Sequence, residues 1–358
     1  MFSEATARCF NDLSRQAHLM GPSVGDVVLG GRYVLLAQVR GSLGKGKVRI
    51  GVPGRCRYCG AMSPERFRNV AHTFPEALGN KWVESLDECD DCNGHFSVYD
   101  EALANSVSPL LTLGGTKGKD NKVRQTGRSA GASVVTRRQG QDRSKIEVRV
   151  RTDDPAAHAV AIDPASGRLR MEMPIAGVPF KPRHAYKALC KMAIAMLPES
   201  ELGRYQKLRD WLLIVDDEVE FPILEVAMSF GSIGNAPPLV VGTLLRRAEP
   251  TDPLPYLLFV FSAGPVCLQI ALMSDHEEDH YGFSHCGSIS IDWVNVVGND
   301  DLSESVRIEY GKPIHRNWSG ASAIAQPVRA MVLDFDQATC EGRFTPIFWP
   351  GSAERLGD

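Results

Sequence analysis

The sequence predicts an α+β protein, with a small module held together by cysteines near the N-terminus and a larger mixed α+β domain after it. Two CxxC pairs lie within residues 55–115, and most apolar segments beyond residue 145 are short and alternating, as in strands. Between them, residues 116–144 are rich in Gly, Ser, Thr, Lys and Arg, which predicts a basic flexible linker. At 358 residues the chain is long enough for two domains.

The overall composition is that of a globular protein with no general attraction for polyanions. Hydrophobic residues make up 43% of the chain and the formal net charge is only −3, so affinity for phosphate must come from local clusters of Lys and Arg. The cysteine count of nine is odd and no secretory leader is visible, which favours a reduced, cytoplasmic protein. The apolar segment Tyr256–Met273 is interrupted by Ser262–Pro265, so it predicts two core strands and not a membrane span.

Short strands are predicted on both sides of the cysteine-rich segment. Residues 1–54 form a lead-in with strands at Asp26–Leu29, Tyr33–Val39 and Lys47–Ile50. In the larger domain, residues 145–358, the predicted strands are Ile146–Val150, His158–Ile162, Arg168–Met173, Leu239–Leu245 and Ser288–Trp293. One helix is predicted there, His184–Leu197, with Leu189 and Ala193 on one face and Lys187 and Lys191 on the other.

The two cysteine pairs predict a structural zinc site. Cys56 and Cys59 form the first pair and Cys89 and Cys92 the second, with 29 residues between them. Two residues between cysteines allow a tight turn to aim both sulfurs at one ion, and two such turns complete a tetrahedral site. Such a zinc stabilises a segment too short to build its own core, and by itself it says nothing about catalysis.

The segment around these pairs resembles a known nuclease family. The first pair is followed by AHTFPEALGN at residues 71–80, by ECDDCN at residues 88–93 and by Phe96. This order is similar to that of the bacterial HNH endonucleases of the subgroup with CxxC, AHxxPExLGN and ECDxCN motifs. The resemblance covers roughly residues 55–118, under a fifth of the chain. It implies a zinc-stapled ββα-metal (HNH) nuclease module that cleaves nucleic-acid phosphodiesters.

The resemblance also implies roles for three residues. His72 ends the first strand and acts as general base toward the attacking water, which requires a neutral imidazole near physiological pH. Asn80 braces the loop and fixes the orientation of that base. Asn93 is a ligand of a catalytic divalent ion, Mg²⁺ or Mn²⁺, which stabilises the departing 3′ oxygen. His95 is a second-choice ligand.

One position departs from the wider HNH pattern. An Asp or Glu metal ligand commonly precedes the histidine, but Ala71 stands there in this sequence. Glu76 is a candidate for the missing carboxylate from the far side of the turn. A structural role for Glu76, bound to backbone or to a neighbouring lysine, remains an equal alternative.

Basic residues near this module predict contact with nucleic acid. Flexible cations beside a phosphodiesterase centre supply backbone affinity that weakens as salt rises. The candidate contacts are Lys81, Lys117, Lys119, Lys122 and Arg124. A solvated linker kept soluble by charge is the alternative interpretation. A second cluster, Asp275–His280 with His285 and Cys286, is interpreted as a charged loop because no scaffold fixes its geometry.

The leading hypothesis is therefore a metal-dependent endonuclease, with double-stranded DNA the expected substrate. The resemblance suggests defence against phage or plasmid DNA as its setting, and a homodimer is possible. One alternative is a nucleic-acid-binding or scaffold protein whose nuclease site has decayed, for which Ala71 is the main argument. Another is a nuclease effector gated by a ligand of the larger domain.

Overall fold

The computed structural model describes the core of the chain and the backbone of its outlying strands. Residues 32–42, 46–124, 178–215, 225–231, 239–252, 254–276 and 310–324 are described, together with residues 219 and 221. The remaining strands below are described as backbone alone. The strands are β1 (Val27–Val28), β2 (Tyr33–Ser42), β3 (Val48–Ile50), β4 (Ala71–His72), β5 (Val83–Ser85), β6 (Ser133–Arg137), β7 (Ile146–Val150), β8 (Val160–Asp163), β9 (Arg168–Pro174), β10 (Glu225–Phe230), β11 (Leu239–Arg247), β12 (Leu257–Ala263), β13 (Val266–Leu272), β14 (Ile314–Asn317), β15 (Val328–Asp336) and β16 (Glu341–Phe348). The helices are α1 (Asp90–Ser106), α2 (Ser108–Leu113), α3 (Pro182–Met196), α4 (Glu199–Leu202) and α5 (Gln206–Leu212).

A seven-stranded antiparallel sheet, in the order β1-β2-β11-β12-β13-β10-β14, forms the base of the fold. The predicted turn within Tyr256–Met273 is confirmed, since β12 and β13 pair on either side of it and are buried along their whole length. The lead-in strand β2 pairs with β11 along nine residues. A segment predicted only as a lead-in therefore belongs to the central sheet.

The cysteine-rich segment forms a compact unit of short strands and one long helix. Strand β5 lies between β3, which is parallel to it, and β4, which is antiparallel. Helix α1 follows directly, with Cys89 at its N-cap. Strands β4 and β5 followed by α1 give the ββα order that the resemblance implied, and the mixed helix and strand content confirms the α+β class.

This unit and the seven-stranded sheet share one hydrophobic core. Phe74, just after β4, packs at 5.1 Å between ring centroids against Phe261 of the sheet. A Cβ on Gly242 of β11 would lie 2.6 Å from the Phe74 ring and 2.5 Å from Met196 Sδ, so only glycine fits at this contact. The division of the chain at residues 54, 115 and 144 stays a prediction, but it does not separate two hydrophobic cores.

Helix α3 confirms the predicted helix at His184–Leu197, but its two faces are not the expected ones. Lys187 and Lys191 are only 1% and 0% exposed, although they lie opposite the apolar face. The helix packs against α1 on one side and near β2 and β11 on the other, so no face is left for water. Both ammonium groups must therefore find partners inside the protein.

The predicted linker contains regular structure where it is described. Residues 116–124 fold back on the cysteine-rich unit: Thr116 donates its backbone N–H to Leu111, and Lys117 forms a β-bridge with Val123. Strand β6 pairs with β7. These parts of residues 116–144 therefore pair through their backbone despite their polar composition, and the flexible linker stays a prediction.

The outlying strands form a separate sheet in the order β16-β15-β9-β8. Strands β8 and β9 pair from Asp163 and Arg168 onward, which confirms the predicted hairpin; its connecting residues lie outside the described part. The strand predicted at Ser288–Trp293 also lies outside it. Within the described residues, no helix is long and apolar enough to cross a membrane.

Candidate metal and catalytic site

The four predicted cysteine ligands come together in one cluster. Their sulfurs all lie within 4.8 Å of one another, with Cys56 and Cys92 3.7 Å apart and Cys59 and Cys89 3.6 Å apart. Tetrahedral zinc with Zn–S bonds of about 2.3 Å needs sulfurs about 3.8 Å apart, whereas a disulfide needs about 2.05 Å. The hydrogen bond that joins Cys56 and Cys92 lowers the pKa of the Cys56 thiol to about 4 and raises the pKa of the Cys92 thiol. The cluster fits a structural zinc ion.

The first cysteine turn also ends helix α3. The buried guanidinium of Arg57 donates to the carbonyl oxygens of Ile194 and Leu197 at 3.2 and 2.6 Å, and to Asp87 Oδ2 at 2.8 Å. Both carbonyls belong to the last turn of the helix, where the backbone lacks intrahelical donors, and the Ile194 oxygen also accepts from the Leu197 N–H. The cysteine cluster therefore anchors a helix more than a hundred residues away in sequence.

His72 ends β4 with its imidazole half-buried. Its Nδ1 is buried and has no hydrogen-bond partner among the described residues. Burial lowers the pKa of the imidazole below its usual 6.5; Glu76 and Glu84 oppose this effect, and Lys47 and Lys191 reinforce it. A neutral ring is the form that a general base requires.

Asn80 is fully buried and braces the loop that follows His72. Its Nδ2 donates to the carbonyl oxygens of Phe74 and Val83 at 2.7 and 2.9 Å, and its Oδ1 accepts from the backbone N–H groups of Trp82 and Val83. The preceding Gly79 has φ +93°, which a glycine adopts without strain. Asn80 thus links the two ends of the turn between β4 and β5.

Glu84 faces His72 across the β4–β5 ladder. The two residues are directly paired, so their side chains lie on the same face of the sheet. Lys47 Nζ lies 2.7 Å from Glu84 Oε1 and Arg49 Nε lies 3.2 Å from Oε2, which lowers the pKa of the Glu84 carboxyl. Both cations are about half-exposed or more, at 49% and 61% of the side chain.

Glu76 carries one engaged and one less constrained carboxylate oxygen. Lys81 Nζ lies 2.9 Å from Glu76 Oε1 and 2.6 Å from the carbonyl oxygen of Gly118. Although burial opposes it, the Lys81 ammonium lowers the pKa of Glu76, so this residue is ionised at neutral pH. Its contact with a neighbouring lysine agrees with the structural alternative. The second oxygen, Oε2, remains a candidate ligand of the catalytic divalent ion.

Asn93 and His95 occupy different surroundings on α1. Asn93 lies in the first turn of the helix and is half-buried, and its backbone N–H donates to Cys89. His95 instead bonds through Nε2 to the carbonyl oxygen of Leu212 at 2.9 Å and approaches the Tyr99 hydroxyl at 3.2 Å. Its Nε2 is thus committed to packing against α5, which argues against the second-choice ligand role.

Comparison with known families supports the interpretation of this segment. Residues 56–108 match the model of a family described as HNH endonuclease. This segment belongs to the HNH endonuclease family. The match spans both cysteine pairs, His72, Asn80 and Asn93. Searches of curated proteins and of solved structures found no match.

The basic residues next to the HNH module divide into two kinds. Lys117, Lys119 and Lys122 are exposed on the segment that packs against Glu76 and Lys81. Arg124 is half-buried and donates to Asn105 Oδ1 at 2.8 Å, and burial lowers the pKa of its guanidinium. Arg124 is therefore committed to packing on α1 and is a poorer candidate for nucleic-acid contact than the three lysines.

Sequence reasoning missed two cations beside the HNH module. Lys47 and Arg49 precede it, but strand β3 brings them to Glu84 and so to the same side of the sheet as His72. The alternation of Lys47 and Arg49 around Val48 is the signal that could have found them. In the described part of the chain, the four cysteines are the single group of three or more metal-capable side chains that converge.

Proposed function

We propose that the protein is a metal-dependent endonuclease in which His72 activates the water that attacks the phosphodiester. The observation that carries this proposal is the position of His72 at the end of β4 in the family-matched segment, half-buried and with its pKa lowered by that burial. A neutral imidazole removes the proton from water, and such assistance typically contributes about 10²- to 10⁴-fold.

Two side chains of the family-matched segment have the chemistry for a hard divalent ion. Oxygen donors suit Mg²⁺ or Mn²⁺, and Asn93 Oδ1 and Glu76 Oε2 are the candidates. When bound, the ion supplies positive charge that stabilises the departing 3′ oxygen. Asn80 holds the turn on which His72 and Glu76 lie, so its role is to keep their spacing fixed. Glu76 replaces, in this proposal, the carboxylate that is absent at Ala71.

We further propose that the substrate is DNA, held by two sets of exposed cations. Lys47 and Arg49 pair with Glu84, which lies opposite His72, and the exposed lysines of residues 117–122 lie by the Glu76 turn. Cleavage of foreign phage or plasmid DNA in the cytoplasm is the setting that the family resemblance suggests. A homodimer stays a prediction.

The test is cleavage of supercoiled plasmid with and without Mg²⁺ or Mn²⁺, with an RNA of the same sequence in parallel. His72→Ala is expected to keep zinc, fold and DNA binding but to lose cleavage, since only a transition-state interaction is removed. Asn93→Ala and Glu76→Gln are expected to regain part of their activity at high metal concentration, which His72→Ala cannot do. Wild-type cleavage by His72→Ala, in a preparation free of contaminating nuclease, would refute the assignment.

The alternative is a DNA-binding protein with a decayed nuclease centre. The observation that favours it is Ala71, which is 1% exposed and offers no ligand beside His72. This alternative predicts plasmid binding without nicking at any metal concentration. If the wild-type protein nicks DNA in a metal-dependent way and Glu76→Gln is fully active, the nuclease proposal stands but Glu76 is not a ligand of the catalytic ion.

A further inference from the structure

A buried ammonium group contacts the backbone of the proposed catalytic residue. Lys191 Nζ donates to the carbonyl oxygen of His72 at 3.0 Å, and Lys191 is 0% exposed. The same nitrogen lies 3.6 Å from Glu88 Oε2 and 3.6 Å from Asp100 Oδ2. Lys191 comes from α3, 119 residues after His72 and outside the family-matched segment.

The strand that carries His72 needs such a contact. Strand β4 is only two residues long and pairs with β5 on one side, so few backbone hydrogen bonds hold it in place. The ammonium of Lys191 binds the outer carbonyl oxygen of this strand with a charge-assisted hydrogen bond, which is stronger than a neutral one. It thereby fixes the backbone from which the imidazole projects.

The two carboxylates keep this ammonium charged inside the core. An isolated buried lysine would lose its proton, but Asp100 and Glu88 offset the desolvation cost and raise the pKa of Lys191. Burial in turn raises the pKa of Glu88 to about 7 and raises that of Asp100. Removing the lysine alone would leave the buried Glu88 and the partly buried Asp100 without a counter-charge. A neutral replacement of all three groups avoids that cost while still removing the bond to His72.

We propose that Lys191 is a positioning residue of the nuclease site, which holds the backbone of His72 in the orientation that cleavage requires. The inference rests on the proposed function of His72. It means that the catalytic centre is completed by a helix of the larger domain and is not contained in residues 56–108.

The test compares Lys191→Met with Lys187→Met, a matched control one helical turn earlier. Lys187 is equally buried, but its ammonium donates to the Tyr99 hydroxyl and to the carbonyl oxygens of Trp211 and Ile214. Misplacement of a catalytic group by about 1 Å can cost about 10²-fold. We expect Lys191→Met to lower single-turnover cleavage by about that factor with unchanged DNA affinity and zinc content. Lys187→Met should lose stability but cleave at the wild-type rate.

Two further measurements keep the test decisive. The triple variant Lys191→Met, Glu88→Gln, Asp100→Asn should regain thermal stability yet remain slow, which a purely structural role would not produce. Wild-type cleavage rates in this variant or in Lys191→Met would overturn the proposal. The NMR signal of the His72 ring should shift in both Lys191 variants and not in the Lys187→Met control. If the wild-type protein does not cleave but this shift occurs, the proposed function fails while the positioning contact stands.

Discussion

Replacing Asn80 by alanine should both destabilise the HNH module and slow cleavage. The side chain makes four hydrogen bonds, all to the backbone of the turn between β4 and β5. Alanine removes all four. The Val83 carbonyl oxygen keeps a bond from the Thr73 N–H at 3.2 Å, and Trp82 is only half-buried, so its N–H is left out of the cost below.

Two buried backbone groups are then left without these partners, the Phe74 carbonyl oxygen and the Val83 N–H. Each unsatisfied buried group costs about 1–3 kcal/mol, so the expected loss in the free energy of unfolding is about 2–6 kcal/mol. That is a large part of the roughly 5–15 kcal/mol that stabilises a typical protein. At about 2–4 °C per kcal/mol, Tm should fall by roughly 4 to 24 °C.

Calorimetry or circular dichroism would measure the fall in Tm, and single-turnover plasmid cleavage at a temperature where the variant is folded would measure the rate. Asn80→Asp is the companion variant, because it keeps the acceptor for Trp82 and Val83 but loses both donors. We expect it to be destabilised as well. If Asn80→Ala melts within about a degree of the wild-type protein and cleaves at the same rate, the turn does not depend on this brace.

Three other predictions address the zinc, the base and the substrate surface. Cys89→Ser should release the zinc and unfold the HNH module, with elemental analysis and protease sensitivity as the readouts; one zinc retained per chain would contradict it. Because burial lowers the pKa of His72 and the neutral ring is the active form, cleavage should persist as pH falls through 6.5 and decline only below that value. If the cleavage rate already declines while the pH is lowered from 8 toward about 6.5, His72 is not the general base. Lys47→Ala with Arg49→Ala should reduce the log–log salt slope of DNA binding by roughly 0.9 for each phosphate that these cations neutralise, whereas an unchanged slope would exclude β3 from the DNA surface.

The local motifs were the part of this site that could be predicted from sequence. The spacing of Cys56, Cys59, Cys89 and Cys92 depends on short turns, and these bring the sulfurs together as predicted. The helix at residues 182–196 and the turn between β12 and β13 also follow from nearby residues. Each of these features is set by contacts within a few tens of residues, which is the range over which a sequence pattern is informative.

Long-range partners could not be predicted in the same way. Lys187 and Lys191 have the spacing of an exposed polar face, and only the packing of α3 against α1 reveals that they are buried. The register that sets Glu84 opposite His72, and the pairing of β2 with β11, are likewise properties of the assembled sheets. A polar segment such as residues 116–124 has the composition of a linker. The contact that holds it in place, from Lys81 Nζ to the carbonyl oxygen of Gly118, is made by a residue elsewhere in the chain.

The shared core also sets the order of events during synthesis. The carbonyl oxygen of His72 in β4 is bound by Lys191 of helix α3. Lys191 leaves the ribosome 119 residues after His72. At about 5–20 residues per second, the ribosome needs about 6–24 s to bridge that interval. A nascent chain therefore carries its cysteine pairs and its histidine well before the helix that completes the site. Under the proposed function, the contact between Lys191 and His72 can form only after more than half of the sequence has been translated.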